Sequence, residues 1–269
     1  MRSTRHAIIT GGSSGIGFAL ASRLAGRGWH LTLIARDQAR LDTAATRLGT
    51  LQSTDDLKIR IYSADVADPA RIDSVLREAI EAQGIPELVI TSAGEVIPGL
   101  VTDLNVGDFE RLIRSNYLGT VNVIKAVLPS LQTAKKGHLV LVASGAALAG
   151  IVGYSAYSPS KFAVRGLAES LRMELKPAGI RVSIVYPPDT DTPQLADENR
   201  TKPEETRMIT SRGGIMTADA VASAILSGVE QNKFVITPGI QMTLYNNLLN
   251  FLAPCFRMYF DMLINRMNK

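Results

Sequence analysis

The sequence predicts a single α/β domain in which a parallel β-sheet is covered by helices on both faces. Three observations predict this fold class: short apolar runs recur along the chain, segments with helical spacing separate them, and a glycine-rich turn follows the first run. Regular alternation of strand and helix indicates a parallel, doubly wound sheet, because parallel neighbours need long crossover connections. No repeat or boundary is visible before about residue 238, so we assign residues 1–237 to this domain.

Seven runs are predicted to be strands because they are rich in aliphatic residues, and several are nearly continuous rather than alternating. A strand that is buried on both faces gives this pattern. The runs are His6–Thr10, Leu31–Ile34, Lys58–Tyr62, Glu87–Thr91, His138–Val142, Ile180–Val185 and Phe234–Thr237. The connections have helical spacing; the clearest begins at the start signal Asp68-Pro69 and continues through Ile72, Val75, Leu76, Ala79 and Ile80.

Composition excludes several classes of function. The net charge of +4 is mild and no block of Lys and Arg occurs, which argues against a nucleic-acid partner. A single cysteine, Cys255, excludes an internal disulfide, and the three histidines (His6, His30 and His138) are too scattered for a structural zinc site. We therefore expect no metal site. The N-terminus passes directly into a strand without an apolar signal-peptide core, so we expect a cytoplasmic protein.

The segment Thr10–Gly17, TGGSSGIG, follows the first predicted strand and opens a helix predicted to run through about residue 26. Glycines in such a turn let backbone N–H groups approach a phosphate, and the helix N-terminus adds partial positive charge. Glycine-rich turns also simply end strands, but this position between strand and helix favours a dinucleotide site. The predicted cofactor-binding residues of the loop are Gly11, Ser13, Ser14, Gly15, Ile16 and Gly17.

The end of the second predicted strand indicates which dinucleotide binds. Sites that prefer NAD usually carry an acidic residue there, which binds the ribose 2′-hydroxyl. This chain has Arg36 instead, and a guanidinium can bind a 2′-phosphate that a carboxylate would repel. We therefore expect NADPH as the cofactor. The alternative is that Arg36 is a solvated surface cation and that Asp37 faces the ribose.

The motif Tyr157-Ser-Pro-Ser-Lys161 places a phenol and an ammonium on one face of a helix. An unperturbed tyrosine has a pKa near ~10, and an ammonium one turn away lowers that pKa. The phenol can then protonate a carbonyl oxygen while a hydride arrives at the carbonyl carbon. Ser144 ends the strand-like run HLVLVAS and is placed to hydrogen-bond the same oxygen.

Together the glycine loop, Asn116-Tyr-Leu-Gly119, Ser144, Tyr157 and Lys161 resemble the short-chain dehydrogenase/reductase family from residue 6 to about residue 237. The resemblance implies a Rossmann-type sheet, hydride transfer, and a homodimer or homotetramer. It makes Tyr157 the acid/base, while Lys161 lowers the pKa of that tyrosine and holds the ribose. It gives Ser144 the role of polarising the carbonyl and Asn116 that of holding a water for proton relay. Taken singly, Asn116 could cap or kink a helix and Ser144 could end a strand.

The same resemblance implies further cofactor contacts. It places Asp65 and Val66 at the adenine ring and Thr192 against the nicotinamide carboxamide, with Thr190 beside it. Ser92-Ala93-Gly94 stands where the family often has Asn-Ala-Gly, and this departure loses one side-chain amide. Ala93 and Gly94 remain predicted cofactor-binding residues.

The stretch YPPDTDTPQLADENRTKPEET after the sixth predicted strand holds four prolines and six acidic residues. It begins with Pro187-Pro188 instead of the family's usual Pro-Gly and resembles 3-ketosphinganine reductases, which use NADPH to reduce a long-chain amino ketone to dihydrosphingosine. We interpret residues 186–216 as a substrate lid that its prolines partly pre-organise. Asp189 and Asp191 either attract the substrate's ammonium group or cap the next helical turn.

Residues 238–269 form an apolar tail, which we expect to be an amphipathic helix. The predicted stripe is Leu244, Leu248, Leu249, Leu252, Phe256, Tyr259 and Leu263. Prolines and asparagines interrupt the run, so we expect no membrane-spanning helix. Two alternatives remain for the stripe: peripheral contact with a membrane interface, or packing against the body or a partner subunit.

The function that this resemblance implies is NADPH-dependent reduction of the keto group of 3-ketosphinganine in sphingolipid biosynthesis. A second hypothesis is reduction of another lipid-like ketone, such as a 3-oxoacyl thioester or a steroid. A third is a cofactor-binding regulator without turnover, against which the complete Ser, Tyr, Lys and Asn set argues.

Overall fold

The computed structural model describes residues 5–51, 57–211 and 214–248. Its strands are β1 (His6–Thr10), β2 (His30–Ala35), β3 (Ile59–Ser63), β4 (Leu88–Thr91), β5 (Gly137–Val142), β6 (Ile180–Val185), β7 (Thr190–Asp191), β8 (Met216–Thr217) and β9 (Val235–Ile236). Seven form one parallel sheet in the order β3-β2-β1-β4-β5-β6-β9, and β7 pairs with β8 apart from it. All seven predicted strands are confirmed, with ends that differ by at most one residue.

The helices are α1 (Gly15–Ala25), α2 (Gln38–Gly49), α3 (Pro69–Gln83), α4 (Val106–Leu112), α5 (Gly119–Ala134), α6 (Tyr157–Leu175), α7 (Pro193–Thr201), α8 (Glu204–Thr210) and α9 (Ala218–Glu230). A π-helical turn, Ile113–Leu118, joins α4 to α5. The predicted start of α3 is confirmed: Asp68 accepts a hydrogen bond from the Arg71 backbone at 3.0 Å, and Pro69 occupies the first turn.

The continuous apolar strands are buried on both faces. Ile8 belongs to the core beneath α3, α5 and α6, whereas Ile9 belongs to the core beneath α1, α2 and α9, and both are fully buried. The strand order reverses between β1 and β4, which are direct neighbours in the sheet. In doubly wound sheets a crevice opens beyond the carboxyl ends of the strands at such a reversal, so the candidate site is expected there.

The described part of the tail, residues 240–248, is helical. Met242 is buried against the body, whereas Leu244 and Leu248 of the predicted stripe are exposed. The other stripe residues, Leu249, Leu252, Phe256, Tyr259 and Leu263, lie outside the described residues. Among the described residues, no helix combines the length and apolar character needed to cross a membrane.

Candidate active site

The glycine loop joins the end of β1 to the start of α1 and lies at the strand-order reversal. Gly11 has φ +67°, a left-handed conformation that favours glycine, and a Cβ on Gly17 would overlap the Gly11 carbonyl oxygen. Ser14 is the N-cap of α1 but makes no side-chain capping bond. The first backbone N–H groups of α1 therefore remain available to an anion, and the loop fits a dinucleotide pyrophosphate.

The segment after β4 forms the next wall of the crevice. The Ala93 N–H donates to Thr10 Oγ1 at 3.1 Å, which ties this segment to the end of β1. A Cβ on Gly94 would lie 3.0 Å from Asn116 Oδ1 and 3.3 Å from Lys161 Nζ. Glycine therefore lets the backbone pass close to both side chains, and little room remains there for a larger residue.

Asn116 lies in the π-helical turn and is almost completely buried. Its Nδ2 donates to the Glu95 carbonyl and to Ser160 Oγ, both at 2.9 Å. Its Oδ1 accepts from the Glu95 N–H at 2.7 Å and from Ser115 Oγ at 3.3 Å. The amide therefore has no hydrogen-bonding capacity left for a water molecule. The amide connects the segment after β4 to α6. Asn116 also lies in the π-helical turn that interrupts the α-helix, which is related to the alternative that Asn116 kinks a helix.

The three predicted catalytic side chains meet where β5 ends and α6 begins. Tyr157 is the first residue of α6, and Lys161 follows one turn later with its Nζ 5.8 Å from the Tyr157 ring centroid. Lys161 Nζ also donates to the Val142 carbonyl at 3.2 Å. Ser144 caps a short 3₁₀ turn by accepting from the Ala146 N–H at 3.1 Å, and its hydroxyl hydrogen-bonds the Tyr157 phenol.

Burial has the largest effect on the pKa values of Tyr157 and Lys161. It raises the pKa of Tyr157; the hydrogen bond with Ser144 lowers that pKa, and the charges of Glu198 and Asp189 raise it. Burial also lowers the pKa of Lys161 to about 8. In the protein alone, desolvation therefore affects the pKa of Tyr157 more than Lys161 does. The sequence analysis expected this pKa to be lowered, whereas burial raises it.

Arg36 follows β2 and is ion-paired with Glu95, which also accepts from Arg111 Nε at 2.7 Å. One carboxylate between two guanidinium groups leaves this corner of the crevice with net positive charge. Asp37 caps α2 by accepting from the Arg40 N–H at 3.0 Å. The carboxylate of Asp37 is therefore engaged in capping the helix, which disfavours the alternative in which it binds the ribose.

The segment interpreted above as a lid carries β7, α7 and α8, reaches β8 at its end, and contacts the glycine loop through Thr192. Thr192 caps α7 by accepting from the Leu195 N–H at 3.2 Å, and a Cβ on Gly15 would lie 3.0 Å from the Thr192 methyl group. Thr190 is buried on β7 and donates to the Pro188 carbonyl at 2.8 Å. The prediction that Asp189 or Asp191 caps the next turn is wrong, because Thr192 does so.

The lid aspartates point in different directions. Asp189 lines the cavity beside Tyr157, whereas Asp191 is exposed and lines a separate shallow depression. Only Asp189 is placed to meet a substrate. Two side chains that the sequence did not single out, Tyr154 and Glu198, also line the cavity, and Lys202 lies behind them. Tyr154 donates to Glu198, and Lys202 Nζ lies 2.8 Å from the same carboxylate. The i, i+4 spacing of Glu198 and Lys202 was the available signal.

These elements enclose one cavity of about 350 Å³ at the carboxyl edge of the sheet. Its floor is the glycine loop with Ala93 and Gly94, and Ser144, Tyr157 and Lys161 line its centre. Its outer wall is largely apolar and includes Leu148, Ile151, Leu195, Ile209 and Met242. The size lies within the usual range of small-molecule pockets. Met242 comes from the tail, which sequence patterning had not connected with the site.

The family model for short chain dehydrogenases matches residues 5–203. The chain is a short-chain dehydrogenase. It is similar to the 3-dehydrosphinganine reductase of Danio rerio, with 39% identity over 87% of this chain and 71% of that protein. It is also similar to the 3-ketodihydrosphingosine reductase of Bos taurus, with 38% identity over 93% of this chain and 75% of that protein. The resemblance stated from the sequence is confirmed.

A solved short-chain dehydrogenase from Sphingobium yanoikuyae, in complex with NADPH, superposes on this one with a TM-score of 0.79. The two are 28% identical, and the match covers 94% of this chain and 95% of the other. This short-chain dehydrogenase is therefore an oxidoreductase of the Rossmann type, and its cofactor is of the nicotinamide class.

The structure brings most predicted site residues of the dehydrogenase to one cavity, but not all of them. The predicted residues that do not line it are Ser13, Arg36, Asp65, Val66 and Asn116. Asp65 instead accepts from the Ala67 N–H at 2.9 Å. In the described part of the dehydrogenase, no three His, Cys, Asp or Glu side chains are grouped in a way that could hold a metal ion.

Proposed function

We propose that this dehydrogenase uses NADPH to reduce the keto group of 3-ketosphinganine, giving dihydrosphingosine. The observation that carries the choice of substrate is the 38–39% identity, over 87–93% of this chain, to relatives that carry that reductase's name. The cavity is consistent with such a substrate, because an apolar wall faces the catalytic hydroxyl groups. A long alkyl chain suits that wall, and the ketone lies toward Tyr157.

The chain's own residues bind and protonate the ketone. The Ser144 and Tyr157 hydroxyl groups lie side by side, so a carbonyl oxygen between them can accept from both once it replaces the bond that the two hydroxyls share. A bound nicotinamide supplies hydride to the carbonyl carbon. Tyr157 gives its phenolic proton to the oxygen, since its raised pKa keeps it protonated at neutral pH. Lys161 is buried beside the ring, and its ammonium favours the phenolate that remains.

The preference for NADPH rests on Arg36 and its surroundings. The guanidinium follows β2, and Glu95, its only acidic partner among the described residues, is shared with Arg111. A 2′-phosphate there would meet two cations and one carboxylate, a net attraction. NAD lacks that phosphate, so Arg36 and Arg111 add nothing to its binding free energy in this way.

The test is an assay of purified protein with NADPH and three carbonyl compounds: 3-ketosphinganine, a 3-oxoacyl thioester and a steroid ketone. We expect NADPH consumption with 3-ketosphinganine at a kcat/KM at least tenfold above the other two. Consumption only with the thioester or the steroid would overturn the proposed substrate. Tight NADPH binding without consumption of any ketone would instead indicate a regulator without turnover.

A further inference from the structure

A hydrogen bond and an ion pair fix the Glu198 side chain on the lid side of the catalytic cavity, which we call the lid wall. Its side chain is only 9% exposed, accepts from the Tyr154 hydroxyl, and lies 2.8 Å from Lys202 Nζ. The Lys202 ammonium is itself 1% exposed and also contacts Asp189 at 3.4 Å and Thr210 Oγ1 at 3.4 Å. Burial of an ion pair is costly, and it is tolerated when hydrogen bonds fix the geometry, as they do here.

The lid wall carries an excess negative charge. Asp189 and Glu198 both line the cavity, and Lys202 behind them supplies one positive charge, which leaves a net charge of −1. Among the described residues that line the cavity, the only cation is Lys161. It lies on the opposite side, where it donates to the Val142 carbonyl. An occupant with a positive charge on the lid side is therefore electrostatically favoured, and an anionic one is disfavoured.

This negative wall is close to the reacting group. The Tyr154 ring packs edge-to-face on Tyr157, with centroids 5.3 Å apart, and the same Tyr154 donates to Glu198. The charges of Glu198 and Asp189 both raise the pKa of Tyr157, so their field reaches the phenol. A cation bound against that wall would therefore also lie near Tyr157.

We propose that Glu198, assisted by Asp189, binds the protonated amino group next to the ketone and so selects amino ketones over neutral ones. This inference rests on the proposed function and names the residues that make that substrate fit. Lys202 and Tyr154 act as positioning residues, because they hold the Glu198 carboxylate toward the cavity. The bound ammonium also cancels the field at Tyr157, which lowers the cost of forming the phenolate when the proton is transferred.

The competing explanation is that Glu198 and Lys202 only lock the lid. The two explanations differ in what Glu198→Gln does to substrate choice. The enzyme is assayed with NADPH on 3-ketosphinganine and on the matching ketone in which hydrogen replaces the amino group. Loss of one charge-assisted contact corresponds to roughly 10–100-fold, so we expect the ratio of the two kcat/KM values to fall by that factor. A lid lock would lower both values together and leave the ratio unchanged, which would overturn the proposal.

Glu204→Gln is the matched control, because Glu204 is an exposed carboxylate on the same lid and does not line the cavity. We expect its ratio to equal that of the wild type; an equal fall in both variants would overturn the proposal. If Glu198→Gln does not fold, as judged by circular dichroism and NADPH binding, Asp189→Asn replaces it. Asp189 makes a single 3.4 Å side-chain ion pair, so we expect a smaller fall in the ratio, and an unchanged ratio would again refute the inference.

If the wild type does not reduce 3-ketosphinganine at all, the proposed function fails, and the inference fails with it. If the wild type reduces it but the ratio is insensitive to Glu198, only the inference fails.

Discussion

Acid should destabilise this enzyme through His138, in the middle of the sheet. Burial and the charge of Arg181 lower the pKa of His138 to about 4. Its Nε2 lies 2.7 Å from Ser183 Oγ, and that hydroxyl donates its only proton to the Lys233 carbonyl. His138 must therefore donate from Nε2, and its Nδ1 has no partner among the described residues. Protonation at Nδ1 would add a buried charge and an unsatisfied N–H.

The expected loss follows from the two pKa values. The unfolded chain binds a proton near pH 6.5, whereas the folded chain binds it only near pH 4. Between these values the folded state holds fewer protons, so stability falls as the pH falls. From this shift, His138 costs roughly 1 kcal/mol at pH 5.5 and roughly 3 kcal/mol at pH 4, and almost nothing at pH 7.5.

The assay is urea denaturation of the wild type and of His138→Phe at pH 7.5 and pH 5.5. Phenylalanine keeps most of the volume and removes the titration, and Ser183 keeps its bond to Lys233. His6, whose pKa burial also lowers, is present in both proteins and cancels in the comparison. The wild type should lose roughly 1 kcal/mol more than the variant over this interval. Equal losses would refute the lowered pKa of His138.

Three further outcomes are expected at the site. Tyr157→Phe should lower turnover by about 10²–10⁴-fold, because the general acid is lost, while the NADPH dissociation constant measured by fluorescence stays within about twofold; normal turnover would refute its role. Arg36→Ala should lower kcat/KM for NADPH by about 10–100-fold and leave that for NADH little changed, and an equal fall for both would contradict the 2′-phosphate contact. Gly17→Ala should weaken NADPH binding at least tenfold, since a Cβ there would overlap the Gly11 carbonyl, whereas Gly166→Ala, with no heavy atom within 4 Å of the added Cβ, is the control that should bind normally.

The sequence predicted the sheet well because the signal is local. Each strand is a short run rich in aliphatic residues between helix-forming segments, and burial on both faces places apolar residues at successive positions, as with Ile8 and Ile9. The glycine loop and the Tyr157–Lys161 pair were predictable for the same reason: their function depends on spacing within one turn or one helix.

The lid was not predictable at the level of single residues. Its composition shows that the lid is charged, but the backbone fold decides which way each side chain points. Asp189 faces the cavity, whereas Asp191 faces solvent. The i, i+4 spacing predicts the pair of Glu198 with Lys202, but the contact that joins Glu198 to the site is with Tyr154, which lies 44 residues earlier in the chain. Met242 likewise reaches the cavity by tertiary packing alone. Such contacts leave no periodic pattern in the sequence.

We propose that this dehydrogenase delivers hydride from NADPH to the keto carbon of 3-ketosphinganine. The most direct measurement is mass spectrometry of the product formed with NADPH that carries deuterium at both C4 positions of the nicotinamide. We expect dihydrosphingosine with one deuterium on carbon 3. Unlabelled product, or no product while a 3-oxoacyl thioester is reduced under the same conditions, would contradict it.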